Sequence, residues 1–235
     1  MTNLAGKAIV ITGAYGALGA ETARAAVKCG ARIALIDRAT NAPQGLLEAL
    51  GPDAVTLGGV DLSDAADAAR AIDTAHDRLR GLDVLINIAG AFRWQTVADG
   101  DPQTWDLMSA INLKTAVNAS RAALAHMRKH GSGRIINMGA NAALKSGAGM
   151  GAYAASKAGV HRFTESLAEE VKDSGITVNA ILPSIIDTPA NRADMPHADF
   201  SKWVTPQALA DVILFLASDE AYAVTGALLP VTGKV

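Results

Sequence analysis

Seven short runs rich in β-branched and other apolar residues recur along the chain: KAIVIT, RIALID, AVTLGGV, DVLINIA, GRIINM, ITVNAIL and ALLPVT. Each is close to continuously apolar, the pattern of a strand buried on both faces; a strand with one solvated face would alternate. Longer helical patterns separate the runs, the longest over 102–130 and 151–173. Strand, helix and strand in succession pair in parallel through right-handed crossovers. The predicted fold is therefore α/β, a doubly wound parallel sheet of about seven strands with helices on both faces. Pro230 lies inside the last run, and a residue that cannot donate to a ladder places that strand at an edge. No linker, repeat or shift in composition divides the chain, so a single domain is expected over 1–235.

Half of the residues are apolar, enough for a large core, and only 19% are charged with a net charge of −2. That balance leaves no electrostatic footprint for nucleic acid or an acidic membrane surface, and a small molecule becomes the expected partner. The opening MTNLAGKAIVITG has glycine where a signal peptide would have a cleavage site, and no window approaches the roughly twenty apolar residues of a membrane span. A soluble cytoplasmic protein is expected. Cys29 is the only cysteine, which excludes an intramolecular disulfide and a cysteine-based metal site, and it reads as a packed thiol near a helix end. His126 and His130 are four apart in HMRKH but lack the acid of a zinc-protease helix. They read as cations favouring a helix C-terminus, and no metal is expected.

After the first strand comes TGAYGALGAETARAAV, with Gly13, Gly16 and Gly19 leading into a helix. Glycine permits a tight turn and close backbone approach to a pyrophosphate, and the helix N-terminus supplies free N–H groups. Asp37 follows at the end of the second strand, where a carboxylate grips the ribose hydroxyls of NAD and repels the extra phosphate of NADP. Alone it would be an ordinary solvated strand end, and the adjacent Arg38 is able to pair with a 2′-phosphate. NAD(H) is favoured over NADP(H), on what becomes an NAD(P)-binding Rossmann fold. Asp61, the NIAG segment from Asn87 to Gly90, NMGA and Pro183 mark further strand ends, and in such a sheet these converge on one crevice.

Tyr153 and Lys157, in YAASK, are four apart and share a helix face about 6 Å apart along the axis. A tyrosine working near neutrality needs about 4 kcal/mol of preference for its phenolate, which a lysine ammonium and a cationic nicotinamide are able to supply. Asn112, in SAINLKTAV, is polar on an apolar helix and must find hydrogen bonds. It either satisfies a backbone carbonyl or holds a water in a relay from Lys157.

The glycine fingerprint, Asp61, NIAG, Asn112, YAASK and LPSIIDTP together resemble the short-chain dehydrogenase/reductase superfamily over essentially the full length. The resemblance implies an NAD(P)-dependent oxidoreductase. Tyr153 is then the proton donor or acceptor, Lys157 binds the nicotinamide ribose, Asn112 anchors a proton relay and Thr188 meets the carboxamide. It extends the cofactor set to Tyr15, Ala17, Leu18, Leu62, Ala89, Pro183 and Ile186, with Asn87 and Gly90 lining the adenosine and ribose side. Relatives pair their two long helices between subunits, so a homodimer or homotetramer is expected.

Three positions depart from the superfamily pattern. Ala140 occupies the place of the usual serine, thirteen residues before Tyr153. The fingerprint reads TGxxGxxG, with Ala17 at the usual middle glycine, and Ser184 follows Pro183 in place of glycine. The shifted fingerprint, the GANAAL loop, GMGAY and LPSIIDTPANRADMPHADFSKW are similar to the quinonoid dihydropteridine reductase branch. An electron-poor conjugated imine accepts hydride readily and has less need of the serine. The expected substrate is accordingly a small carbonyl or quinonoid compound; a catalytically idle dinucleotide-binding sensor or scaffold is the alternative that Ala140 raises. Substrate contacts are expected from Ala140, from Trp94, which would stack on a flat ring or else cover core, and from Met195 and Trp203 in a lid after the sixth strand. His197, in the same segment, is expected to be exposed.

Overall fold

In the computed structural model, which describes residues 2–235, each of the seven apolar runs contains a strand. These are β1 (Ala8–Thr12), β2 (Arg32–Ile36), β3 (Val55–Leu57), β4 (Val84–Asn87), β5 (Gly133–Met138), β6 (Ile176–Pro183) and β7 (Leu228–Val231). They form one parallel sheet in the order β3-β2-β1-β4-β5-β6-β7. Pro230 stands on the edge strand β7, opposite Leu182, where its missing N–H interrupts no second ladder.

Side chains alternate between two cores along each central strand. Ile9, Ile11, Ile33, Leu35 and Ile86 pack with α1 (Ala17–Lys28), α2 (Gln44–Leu50) and α8 (Pro206–Ala217) on one face. Ala8, Val10, Ala34, Ile36 and Leu85 pack with α3 (Ala65–Leu79), α5 (Thr115–His130) and α6 (Gly151–Val171) on the other. Both faces of β1 are therefore dry, which explains the continuous apolarity of these runs. Because the order reverses between β1 and β4, the loops after those strands part there and leave a crevice at the carboxyl ends.

Two boundaries differ from expectation. The AVTLGGV run is a strand only over Val55–Leu57, because the chain at Gly58 presses against the Thr40 carbonyl and turns away. The helix expected over 102–130 is three pieces: α4 (Gln103–Met108), a wider π-helical turn over Ser109–Lys114, and α5. Such turns mark places where a helix yields its own hydrogen-bonding pattern to another demand. A short α7 (Pro189–Asp194), capped by Thr188, follows β6.

Candidate active site

On the nucleotide side, Gly13 adopts φ +63°, and a Cβ there would stand 2.7 Å from the Ala89 nitrogen. A Cβ on Gly19 would collide with the Gly13 carbonyl, so this glycine lets α1 pack against the turn. Gly16 is different. It is the residue before α1, at φ −73°, and its nearest neighbour would be the Gly13 oxygen at 3.6 Å, so the fold does not require glycine there. Ala17 opens the helix in an exposed position and no side chain caps it, leaving the first-turn N–H groups available to an anion.

Asp37 sits where the ribose-gripping carboxylate was expected and is tied to the loop. Its Oδ2 accepts the Tyr15 N–H at 2.9 Å and its Oδ1 the Ala39 N–H at 3.0 Å. Burial, and then the Asp37 charge, raise the Tyr15 pKa, so that phenol stays protonated. Arg38 is exposed beside it. Asp61 accepts from the Ser63 hydroxyl at 2.7 Å and the Ser63 N–H at 2.9 Å; those bonds first, with Arg38 and Lys114 adding, hold its carboxyl below the usual range. The following turn, including buried Leu62, hangs from Asn118, whose amide donates to the Leu62 and Ser63 carbonyls. Asn118 went unnoticed in the sequence, one polar residue among several on α5.

Asn87 departs from expectation. Its side chain is 3% exposed and donates to Ser120 Oγ at 3.0 Å and Asn137 Oδ1 at 2.9 Å; Asn137 in turn donates to Thr164 Oγ1. It belongs to a buried polar ladder joining β4 and β5 to α5 and α6, and its side chain does not line the adenosine side. A buried amide needs such partners, and only the pairing of β4 with β5 supplies Asn137.

At the reacting centre three elements meet on Gly90. A Cβ there would lie 2.5 Å from Asn112 Oδ1 and 3.3 Å from Lys157 Nζ. Asn112 accepts the Ala91 N–H at 2.9 Å and donates to the Ala91 carbonyl at 3.1 Å and to Ser156 Oγ at 3.0 Å. Of its two expected roles, the side chain fills the backbone-satisfying one, and the π-helical turn is what carries it to Ala91. Ser156, a member of YAASK not singled out in the sequence, passes the contact on to the Tyr153 carbonyl at 2.7 Å. Lys157 is 4% exposed and donates to the Met138 carbonyl at 2.7 Å. Phe92, also missed although it follows Gly90 by two residues, meets the Tyr153 ring edge-on at 5.0 Å.

Burial pushes the Tyr153 phenol up to about 12 and the Lys157 ammonium down to about 8. The phenol is therefore protonated at neutral pH, a shift opposite to the near-neutral tyrosine expected from the sequence because burial outweighs the neighbouring ammonium, and the lysine is still mostly cationic. The glycines that admit close backbone approach, the open end of α1, Asp37 and buried Lys157 form a donor and acceptor set that fits a nicotinamide dinucleotide.

The expected substrate residues fall into different settings. Ala140 is 3% exposed and places no hydroxyl beside Tyr153. Trp94 is 60% exposed, so it does not cover core. Its indole N–H donates to the Ala148 carbonyl at 3.0 Å while its ring lies flush on Gly149, where φ is +73° and any Cβ would collide. With the Gln95 N–H on the Gly149 carbonyl at 2.7 Å, this straps the loop after β4 to the loop before α6. Met195 is half-buried at the end of α7. Trp203 is 7% exposed and packs on Phe200 in the segment after α7.

Pro183 ends β6, Ile186 pairs with Val204, and Thr188 Oγ1 accepts the Asn191 N–H at the start of α7. Ser184 donates to the Thr232 carbonyl at 2.6 Å, tying the C-terminal segment to the site.

Elsewhere, His126 bonds Asp73 at 2.7 Å and stacks on His76, so it links α5 to α3 where a helix-end role was expected. His130 does end α5, and His197 is exposed. Cys29 is half-buried against the core just after α1. Among the described residues no three His, Cys, Asp or Glu side chains are placed to hold a metal ion, and no helix is long and apolar enough to cross a membrane.

Comparison with known proteins places this geometry among relatives. The family model described as short chain dehydrogenase matches residues 7–199. The chain is 33% identical to 2-(S)-hydroxypropyl-CoM dehydrogenase 3 of Xanthobacter autotrophicus, covering 98% of this chain and 96% of that protein. It is also 33% identical to the 3-oxoacyl-[acyl-carrier-protein] reductase of Vibrio harveyi, covering 98% of each. Among solved structures, the 3-ketoacyl-(acyl-carrier-protein) reductase of Brucella melitensis complexed with NADH superposes with a TM-score of 0.88 at 26% identity, over 99% of this chain and all of that one.

Proposed function

Because the chain belongs to the short-chain dehydrogenase family, we propose that it is an NADH-dependent reductase of a small, electron-poor carbonyl or quinonoid substrate, with Tyr153 as the acid. The observation that carries this reading is the meeting of Asn112 and Lys157 at Gly90, with Ser156 linking Asn112 to the Tyr153 carbonyl and the Tyr153 ring against Phe92, in a chain whose Ala140 offers no hydroxyl. The bound dihydronicotinamide would supply the hydride. Tyr153 would deliver the accompanying proton to the substrate heteroatom; burial alone raises its pKa to about 12, so this role requires the Lys157 ammonium and the cationic nicotinamide to bring it back toward neutrality. Lys157 would hold the nicotinamide ribose and its charge would stabilise the phenolate left behind. Asn112 keeps Ala91 and, through Ser156, the first turns of α6 in register.

Within this reading, quinonoid dihydropteridine reduction is the sharper option. It rests on the shifted fingerprint, Ala140 and the segment from Leu182 to Trp203, and it suits a mouth bordered by exposed Phe92 and Trp94. The named relatives act on other substrates, so a substrate panel decides. NADH oxidation followed by absorbance with a freshly generated quinonoid dihydropterin, beside a series of ketones and 3-oxoacyl thioesters, separates the options. No quinonoid-dependent oxidation above background sinks the pterin reading. Retention of NADH binding with no turnover on any acceptor turns the protein into a dinucleotide sensor. Ala140→Ser should change quinonoid turnover little if that hydroxyl has no part in the reaction. We further propose a single catalytic domain over 1–235, active in the cytoplasm as a homodimer or homotetramer, which light scattering on the purified protein distinguishes.

A further inference from the structure

His161 stands one helical turn beyond Lys157 and two beyond Tyr153, and the four-residue spacing puts all three on one face of α6. It is 2% exposed, and its Nε2 lies 3.3 Å from the Ala140 nitrogen. An N–H pointing at Nε2 makes that atom an acceptor, which assigns the ring proton to Nδ1 and the neutral state to the imidazole.

Gly139, between the two anchor points, has a backbone that any residue can adopt, since it is absent from the positive-φ positions. The imidazole is what excludes a side chain there: a Cβ on Gly139 would lie 2.6 Å from His161 Nε2 and 2.9 Å from its Cδ2. The carboxyl end of β5 is thus held from α6 by two side chains, Lys157 on the Met138 carbonyl and His161 on the Ala140 N–H.

We propose that His161 is a positioning residue for this centre, whose neutral imidazole holds the Met138–Ala140 segment and thereby the seat of Lys157. The inference rests on the assignment of Tyr153 and Lys157 above. Ala140 has no side-chain hydrogen bond with which to fix itself; the Gly139 N–H reaches the Ile181 carbonyl of β6 at 2.9 Å, and the restraint on the Ala140 N–H comes from His161. Protonation would turn Nε2 into a donor facing a donor. The charged groups bearing on the ring are Arg162 and Lys157, both on α6, while β5 presents its backbone and β6 Leu182. Burial first, then those two cations, hold the imidazole below its ordinary pKa, so acid is needed to release the segment.

The test compares wild type, His161→Gln, which retains an acceptor that does not titrate, and His161→Leu, which has none. NADH turnover is measured from pH 5 to 8, and ring resonances are followed by NMR in the NADH complex. The wild type should lose kcat on the acid side in step with the imidazole titration. His161→Gln should stay within about threefold at pH 7.5 and lose that acid limb. His161→Leu should lose about tenfold in kcat, the kinetic equivalent of one hydrogen bond, with little change in KM. Wild-type kcat and an unchanged acid limb in His161→Leu would overturn the proposal, as would an imidazole titrating at its ordinary pKa or protonated on Nε2. Should His161→Leu fail to fold, the His161→Gln profile and the wild-type resonances decide. A neutral Nδ1-protonated ring in a protein that turns over no acceptor would refute the catalytic reading and leave the restraint on Met138–Ala140 standing.

Discussion

Replacing Lys157 by methionine should remove a penalty that the wild-type fold carries at neutral pH. The ammonium is 4% exposed, and burial brings its pKa from 10.5 down to about 8. That interval, at about 1.4 kcal/mol per pH unit, corresponds to about 3 kcal/mol. Below pH 8 the lysine is charged in the folded and unfolded chain alike, and folding bears the full cost. Between about 8 and 10.5 the folded chain holds fewer protons on this group than the unfolded chain, so stability rises with pH. Above that window the amine is neutral in both states and the penalty is gone.

Methionine keeps the stem and does not titrate. It leaves the Met138 carbonyl without its partner, but that loss is the same at every pH. Tyr153, pushed up to about 12, is present in both proteins and cancels to first order. Urea unfolding followed by circular dichroism from pH 7 to 10, with no dinucleotide added, should therefore show the wild type gaining roughly 2 to 3 kcal/mol on Lys157→Met. Parallel stability profiles would mean that the lysine is not a buried cation, and the electrostatic account of the site would fall with it.

Three further outcomes follow from contacts around the site. Gly90→Ala would drive a methyl to 2.5 Å from Asn112 Oδ1, and steady-state assays with thermal melting should show kcat falling at least tenfold and a lower melting temperature. Asp37→Ala removes the acceptor of the Tyr15 and Ala39 N–H groups, so fluorescence titration should show NADH binding weakened about tenfold and NADPH relatively favoured; an unchanged preference would refute the ribose assignment. Gly149→Ala should displace the Trp94 indole and alter tryptophan emission while leaving the far-ultraviolet dichroism unchanged; an unaltered spectrum would show that the strap between the two loops does not exist in solution.

Much of this was readable in the chain because the signals were local. Continuous apolar runs report burial on both faces, Pro230 reports an edge, and Gly13 reports a turn with positive φ. The pair Tyr153 and Lys157 was legible for the same reason, since helical spacing alone aligns them. Asn87 was misjudged because it is polar near a strand end, and the composition does not say which way such a side chain turns. Asn87 turned inward because Ser120 and Asn137 were there to accept it.

The amino-acid order by itself determined the layered α/β sheet, the glycine turn before α1 and the alignment of Tyr153 with Lys157, since these depend on neighbours a few residues apart. Only the tertiary structure decided that Asn112 reaches Ala91 from a π-helical turn, that Gly90 is the meeting point of three elements, and that His161 holds the strand end at Ala140. Those contacts join groups about twenty residues or more apart. They exist because parallel strands deliver their carboxyl ends to one crevice, and burial there favours arrangements in which polar groups find partners.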